Sequence, residues 1–182
     1  QILRAAFKVN EYSPVLKPFD GTFVVADPSL LTPAESHDNK WHMFLHTTIG
    51  VYHFISDDGV HFQKVKKILK NAMRPNINRI GDTYYLFYEK TLSLFMNALN
   101  VVNAVKWKSD IYVTKSKDLI NWSEPTLALG NTKDFEISER GTALSNPFLL
   151  QEKDINRLYY SCGMTFIKDC GFCEPTYIGY AE

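Results

Sequence analysis

Long apolar runs are missing from this chain: no stretch approaches the roughly 20 residues that a transmembrane helix requires, so the sequence predicts no membrane partner. An excess of one charge is missing as well. The 20 Lys and Arg residues balance 20 Asp and Glu, which removes the electrostatic argument for nucleic acid or an anionic membrane surface. Cysteine is scarce and odd in number, three in all, which argues against a disulfide framework and leaves a reducing, cytoplasmic compartment as the expectation. The chain opens on Gln1 rather than Met, with no leader-like stretch ahead of the first apolar run. A processed, trimmed or excised chain is therefore expected.

What the chain does have is a repeated arrangement. Ala26-Asp27-Pro28-Ser29-Leu30-Leu31 recurs as Met73-Arg74-Pro75-Asn76-Ile77 and again as Leu144-Ser145-Asn146-Pro147-Phe148-Leu149. Each copy is a polar residue and a proline opening a short apolar run. Proline fixes φ and removes a donor, which suits the first residue of a strand, so all three read as strand entrances. Asp27 is the only carboxylate among the three polar residues. It either activates water or hydrogen-bonds neighbouring backbone amides.

Around these entrances the sequence reads as short aromatic and β-branched runs separated by turns. The first unit has strands at Asp27 to Leu31, Trp41 to Thr47, Gly50 to Ser56 and through Ile68-Leu69. The second has Pro75 to Ile80, Thr83 to Tyr88 and Asp110 to Thr114, and the third Asn146 to Gln151, Arg157 to Ser161 and Tyr177 to Tyr180. Such self-similarity predicts repeated four-stranded sheets in one domain over 1–182, with units at about 24–70, 71–130 and 140–182. The lysines at 64, 66, 67 and 70 read as a protected edge strand or, alternatively, as a polyanion patch. Leu92, Phe95, Met96, Leu99 and Val102 have helical spacing, as a lid or a partner surface.

Three features resemble the five-bladed β-propeller glycosidases, especially glycoside hydrolase family 43 and its relatives in family 32. They are Asp27-Pro28, the strand-turn-strand pattern from Pro75 to Tyr88, and Ser116-Lys117-Asp118-Leu119-Ile120-Asn121-Trp122, which is similar to the family's Ser-x-Asp-Leu-x-x-Trp turn. The resemblance covers Tyr12 to the C-terminus and implies an all-β, five-bladed propeller type with four-stranded antiparallel blades, about three of them present. Three blades do not close a ring, so the open faces are expected to be covered by further blades of a longer chain or by self-association.

The resemblance further implies a carbohydrate ligand, no cofactor and no metal, with a general base on blade one, a tuning carboxylate on blade two and a general acid on blade three. Asp27 matches the base. Arg74 stands where the second carboxylate belongs, and Ser145 or Asn146 stands near the acid position. Glycoside hydrolysis needs two facing carboxyl groups, so Glu89 and Glu139 are the replacement acids expected from the topology. His46, Asp110, Arg140 and Asn146 are expected at the same mouth as sugar-binding groups. Arg74 is read either as a clamp on hydroxyls or carboxylates, or as an ion-pair partner of Asp27 or Glu89. The leading expectation is a glycosidase acting on oligosaccharides or polysaccharides. The alternative is a noncatalytic carbohydrate-binding or scaffold propeller that has lost its acid.

His42, His46, His53 and His61 match no zinc spacing and read as structural or rim residues. Cys170 and Cys173 have redox spacing in a loop rather than at a helix start, and read as free thiols. Trp41, Tyr52, Tyr84, Tyr85 and Tyr88 read mostly as core. Asn121-Trp122-Ser123 is a formal glycosylation acceptor.

Overall fold

The structure is a computed structural model that describes residues 8–93, 99, 105–153, 155–169 and 171–182. The helically spaced segment from Leu92 to Val102 lies largely outside the described residues, as does Cys170 of the cysteine pair. Blade one is an antiparallel sheet of β1 (Ala26–Leu31), β2 (Trp41–Thr47), β3 (Gly50–Ser56) and β4 (Gln63–Lys70), in that order. Blade two is β5 (Ala72–Ile80), β6 (Thr83–Lys90), β7 (Trp107–Ser116) and β8 (Thr126–Leu129). After a single 3-10 turn at Asp134–Glu136 and the two-residue strand β9 (Ile137–Ser138), blade three is built from β10 (Gly141–Gln151), β11 (Asn156–Cys162) and β14 (Tyr177–Ala181). A hairpin of β12 (Thr165–Ile167) and β13 (Phe172–Glu174) is inserted between β11 and β14. The described strands form antiparallel blades and no closed ring, an incomplete propeller.

Alternation along the strands decides where the core sits. In β2, His42, Phe44 and His46 face blade two while Met43 and Leu45 face away from it. Phe44 accordingly joins Leu31, Val51, Ile77, Tyr84, Leu86, Tyr88 and Leu119 between blades one and two. Ile111, Leu144, Leu149, Leu158, Tyr160 and Cys162 fill the space between blades two and three. The opposite face of blade one is covered by the N-terminal segment, whose Leu16, Phe19 and Val25 pack on Met43, Leu45, Tyr52 and Phe54. Phe19 stands edge-on to both Tyr52 and Phe54. The lysine-rich β4 is the edge of its sheet.

The turns closing blades one and two are the same object. Ser56 Oγ donates to Asp58 Oδ1, which also accepts from the amides of Val60 and His61. Ser116 and Asp118 repeat this with the amides of Ile120 and Asn121. These bonds hold both aspartates well below the usual carboxylate range, the His61 side chain contributing most at Asp58 and the Asn121 amide at Asp118. Asn121 spends its own side-chain amide on Asp118 Oδ2 at 2.7 Å.

The three Xaa-Pro pairs are not strand entrances in every copy; in β5 and β10 they lie inside the strand. Each sits on a one-residue bulge. The register steps from Ala26↔His46 to Ser29↔Phe44, from Met73↔Glu89 to Asn76↔Phe87, and from Ser145↔Ser161 to Phe148↔Tyr159. A bulge leaves one residue outside the ladder, so the missing proline N–H costs nothing there. The residue before each proline has left-handed backbone: φ is 50° at Asp27, 51° at Arg74 and 48° at Asn146.

The bulges also latch the blades together. Ser29 Oγ accepts the Ile77 amide at 3.0 Å, and Asn76 Oδ1 accepts the Leu149 amide at 3.0 Å. In both cases the side chain two residues past one bulge receives the amide three residues past the next. In blade three the accepting side chain's position is held by Phe148, 57 % exposed. A second close contact fixes where blade three leaves blade two: Gly141, at φ 129°, starts the short parallel pairing of β10 with β7, and a Cβ there would lie 2.1 Å from the Trp107 carbonyl oxygen.

Candidate functional site

Because the bulges align, Asp27, Arg74 and Asn146 all line one cleft of about 460 Å³. Pro28, Leu30 and Phe148 supply its apolar walls. Sequence repetition made the three positions equivalent; the extra residue in each strand is what turns them into a common space.

Behind the cleft the charged groups form a chain. Asp27, with a side chain 49 % exposed, is the accessible end, and its Oδ2 lies 2.9 Å from His46 Nε2 and 3.8 Å from Arg74 Nε. His46 arrives there because Ala26 pairs with His46 across β1 and β2. The other imidazole nitrogen, Nδ1, faces the Thr47 carbonyl at 3.3 Å. Arg74 donates through Nη1 to Glu89 Oε2 at 2.5 Å. Glu89 is fully buried on β6, and its second oxygen accepts from the Trp107 indole at 3.3 Å. Burial by itself would lower the Arg74 guanidinium, but the carboxylates of Glu89, Asp27 and Glu174 outweigh it and hold Arg74 above its usual value.

Of the residues expected at the mouth, Asp27, His46, Arg74, Glu89 and Asn146 come together. Asn146 is held loosely, its amide 3.4 Å from Ser161 Oγ. Three others do not join them. Asp110 lies opposite Lys90 as the register requires, but its carboxylate accepts from the backbone and side-chain amides of Asn131. Glu139 is exposed on the turn before β10 and does not line the cleft. Arg140 places its guanidinium 4.8 Å from the Phe166 ring centre on the inserted hairpin. A neighbouring carboxylate, Glu136, is buried, but it is fully used by the Thr132 and Lys133 amides and the Tyr160 hydroxyl.

Two residues of interest escaped sequence reasoning. Phe148 is the aromatic ring on the cleft wall; the signal was its place two residues past the third bulge. Glu174 acts on Arg74 from β13, a placement that depends on how the inserted hairpin folds back. Among the described residues no group of three or more His, Cys, Asp or Glu side chains could hold a metal ion, and no helix is long and apolar enough to cross a membrane. Cys162 is a buried thiol, raised by burial, and Cys173 is a partly buried one.

Comparison with solved structures agrees with the topology. The chain is similar to a family 117 glycoside hydrolase of the marine bacterium Zobellia galactanivorans, with a TM-score of 0.56 and 14 % identity over 86 % of this chain and 51 % of that one. It is similar to an α-L-arabinofuranosidase of Lactobacillus brevis, with a TM-score of 0.55 and 11 % identity over 93 % and 50 %. A family 43 glycoside hydrolase protein of Bacillus licheniformis gives 0.53 and 16 % over 90 % and 32 %. The fold is that of the propeller glycosidases. The chain spans about half the length of the first two structures and a third of the last. No protein-family model matches the sequence, and no curated protein matches it.

Proposed function

We propose that the cleft of Asp27, Arg74 and Asn146 binds the hydroxyl groups of a saccharide, on a propeller of glycosidase type. The observation that carries this reading is the convergence of three equivalent bulge residues, one an accessible carboxylate, on a single cleft with an exposed aromatic wall. A carboxylate accepts from two vicinal hydroxyls, a guanidinium and an amide donate to them, and an aromatic face packs on the C–H side of a sugar ring. His46 and Arg74 both hold Asp27 at Oδ2, which limits the orientational freedom lost on binding.

Binding without turnover is favoured over hydrolysis by the fate of the second carboxylate. Glu89 is fully buried and engaged by Arg74 and Trp107, so it serves to position Arg74 rather than to protonate a leaving oxygen. Hydrolysis is the second reading, supported by the similarity to glycoside hydrolases and by Asp27 at the base position that the resemblance implies. It would need a proton donor such as Glu174, which is exposed and acts on Arg74.

Titration calorimetry with methyl α-L-arabinofuranoside and with a panel of other methyl glycosides tests the binding reading. Expected is saturable binding of at least one glycoside, weakened about tenfold or more by Asp27→Asn and by Phe148→Ala. Absence of binding across the panel, or binding indifferent to both substitutions, would refute it. Release of nitrophenol from nitrophenyl glycosides, lost in Asp27→Asn and Glu174→Gln, would replace it with hydrolysis.

A further inference from the structure

The charges around the Asp27 cleft are unevenly matched. Three carboxylates, Asp27, Glu89 and Glu174, act on one guanidinium, that of Arg74. Counting His46 as protonated still leaves two cations against these three anions. Two other basic side chains at this end of the sheets, Lys90 and Arg140, stand over the rings of Tyr112 and Phe166 and do not line the cleft. Among the described residues, the cleft and the groups directly behind it carry an excess of negative charge.

Arg74 does not reverse this excess for a ligand, because it is already committed. Its Nη1 donates to Glu89 Oε2 at 2.5 Å, and Glu89 is fully buried, so the pair is little screened by salt. Its Nε faces Asp27 Oδ2 at 3.8 Å. A sugar carboxylate approaching Arg74 would have to compete with Glu89 and lie against Asp27, where like charges a few ångströms apart repel. An ammonium group meets the opposite situation. His46 and Arg74 both approach Asp27 at Oδ2, so among the described contacts Oδ1 is left to accept from a ligand, on a side chain 49 % exposed. A protonated amine donates to that oxygen in a charge-assisted hydrogen bond, and Glu174 adds to the attraction.

We propose that the Asp27 cleft selects saccharides by charge, taking an amino sugar with its ammonium on Asp27 in preference to a neutral sugar and rejecting a uronic acid. This rests on the saccharide-binding reading above and adds the class of ligand. Arg74, which the sequence leaves as either a clamp or an ion-pair partner, is then the partner of Glu89 and Asp27 rather than a clamp on ligand carboxylates. One charge contact at a partly exposed carboxylate is expected to favour the amino sugar about tenfold over the neutral one and to disfavour the uronate by about the same factor.

The experiment uses the full chain with methyl glucosaminide, methyl N-acetylglucosaminide, methyl glucoside and methyl glucuronide, and with their galactose counterparts. Titration calorimetry at about pH 6, where the amine is protonated, is expected to place the amino glycoside about tenfold above the unmodified one and the uronate about tenfold below it. The N-acetyl form, substituted at the same position without the charge, should bind no better than the unmodified glycoside. Raising the salt from about 50 to about 500 mM should shrink the gap between amino glycoside and uronate. Glu89→Gln releases Arg74 and is expected to cut the ratio of amino glycoside to uronate affinity about tenfold, and Glu174→Gln to cut it by a smaller factor. Equal affinities across the charged and neutral members, a preference for the uronate, or a ratio unmoved by both substitutions would overturn the charge selection and leave the saccharide reading intact. No binding by any member of the panel would overturn both. If Glu89→Gln does not fold, Glu174→Gln, at an exposed position, supplies the comparison.

Discussion

The Arg74–Glu89 pair makes an asymmetric prediction that depends on where each charge sits. Glu89 is fully buried, and among the described residues Arg74 balances its charge, with the Trp107 indole as a further hydrogen-bond donor. Arg74 is 27 % exposed and has a second carboxylate in Asp27 at 3.8 Å. Arg74→Met therefore strands a buried carboxylate, and removing one partner of a buried pair costs about 3–5 kcal/mol. Glu89→Gln keeps an acceptor for Trp107 and leaves the guanidinium with Asp27 and water, so about 1–2 kcal/mol is expected. The double variant should be more stable than Arg74→Met alone, because the uncompensated charge is gone. For a chain of this length, with roughly 2–4 °C of melting shift per kcal/mol, Arg74→Met lowers Tm by roughly 10 °C. Urea unfolding followed by circular dichroism at pH 7, on all four corners of the cycle, gives the comparison. Equal costs for the two single variants, or a double variant no more stable than Arg74→Met, would refute this account of the pair.

Acid should weaken blade one through His53. Its imidazole is stacked on Phe44, bonded to His42 across 2.8 Å and pushed down to about 3, by burial first and then by the charges of His42 and Lys66. A histidine depressed in the fold contributes stability that is fully present above its ordinary 6.5 and is lost as the pH falls from there toward 3. Linkage gives a loss of about 2 kcal/mol between pH 7 and pH 5; unfolding free energies measured across that range should show it, and His53→Gln should flatten the slope. Gly141→Ala forces a Cβ onto the Trp107 carbonyl and is expected to cost several kcal/mol, on the order of an overpacked core, seen as a fall in Tm or in soluble yield. Asn76→Ala removes the acceptor for the Leu149 amide and should cost about 1–3 kcal/mol; amide hydrogen exchange at Leu149 should speed up while that at Ile77 stays unchanged.

The fold was legible because its signals are local. Turn residues punctuate every apolar run, and the Ser-x-Asp turns recur with the same hydrogen bonds from 56 to 61 and from 116 to 121. The site was only half legible. Register brought His46 and Glu89 to the charged chain behind the cleft, because a pairing depends on strand order alone. Asp110 has the same kind of register position yet turns to Asn131, since a side chain's direction is settled by a loop 21 residues away. Glu89 was legible in place but not in role: its complete burial comes from the packing of blades two and three, which no single strand encodes. The prolines misled for a related reason. A missing N–H marks a strand start or a bulge equally well, and only the partner strand decides which.

The latch at the bulges has a consequence for how such a chain is assembled from similar parts. Ser29 and Asn76 each satisfy an amide of the following blade, whereas Phe148 offers a ring with no acceptor. One side chain per blade thus works as an address label: it states which kind of neighbour that blade can precede. The three repeats are therefore not interchangeable modules. Transplanting blade three into the middle position would leave the next inner strand with an unmet amide, so blade three is suited to follow blade two rather than to precede another copy of it.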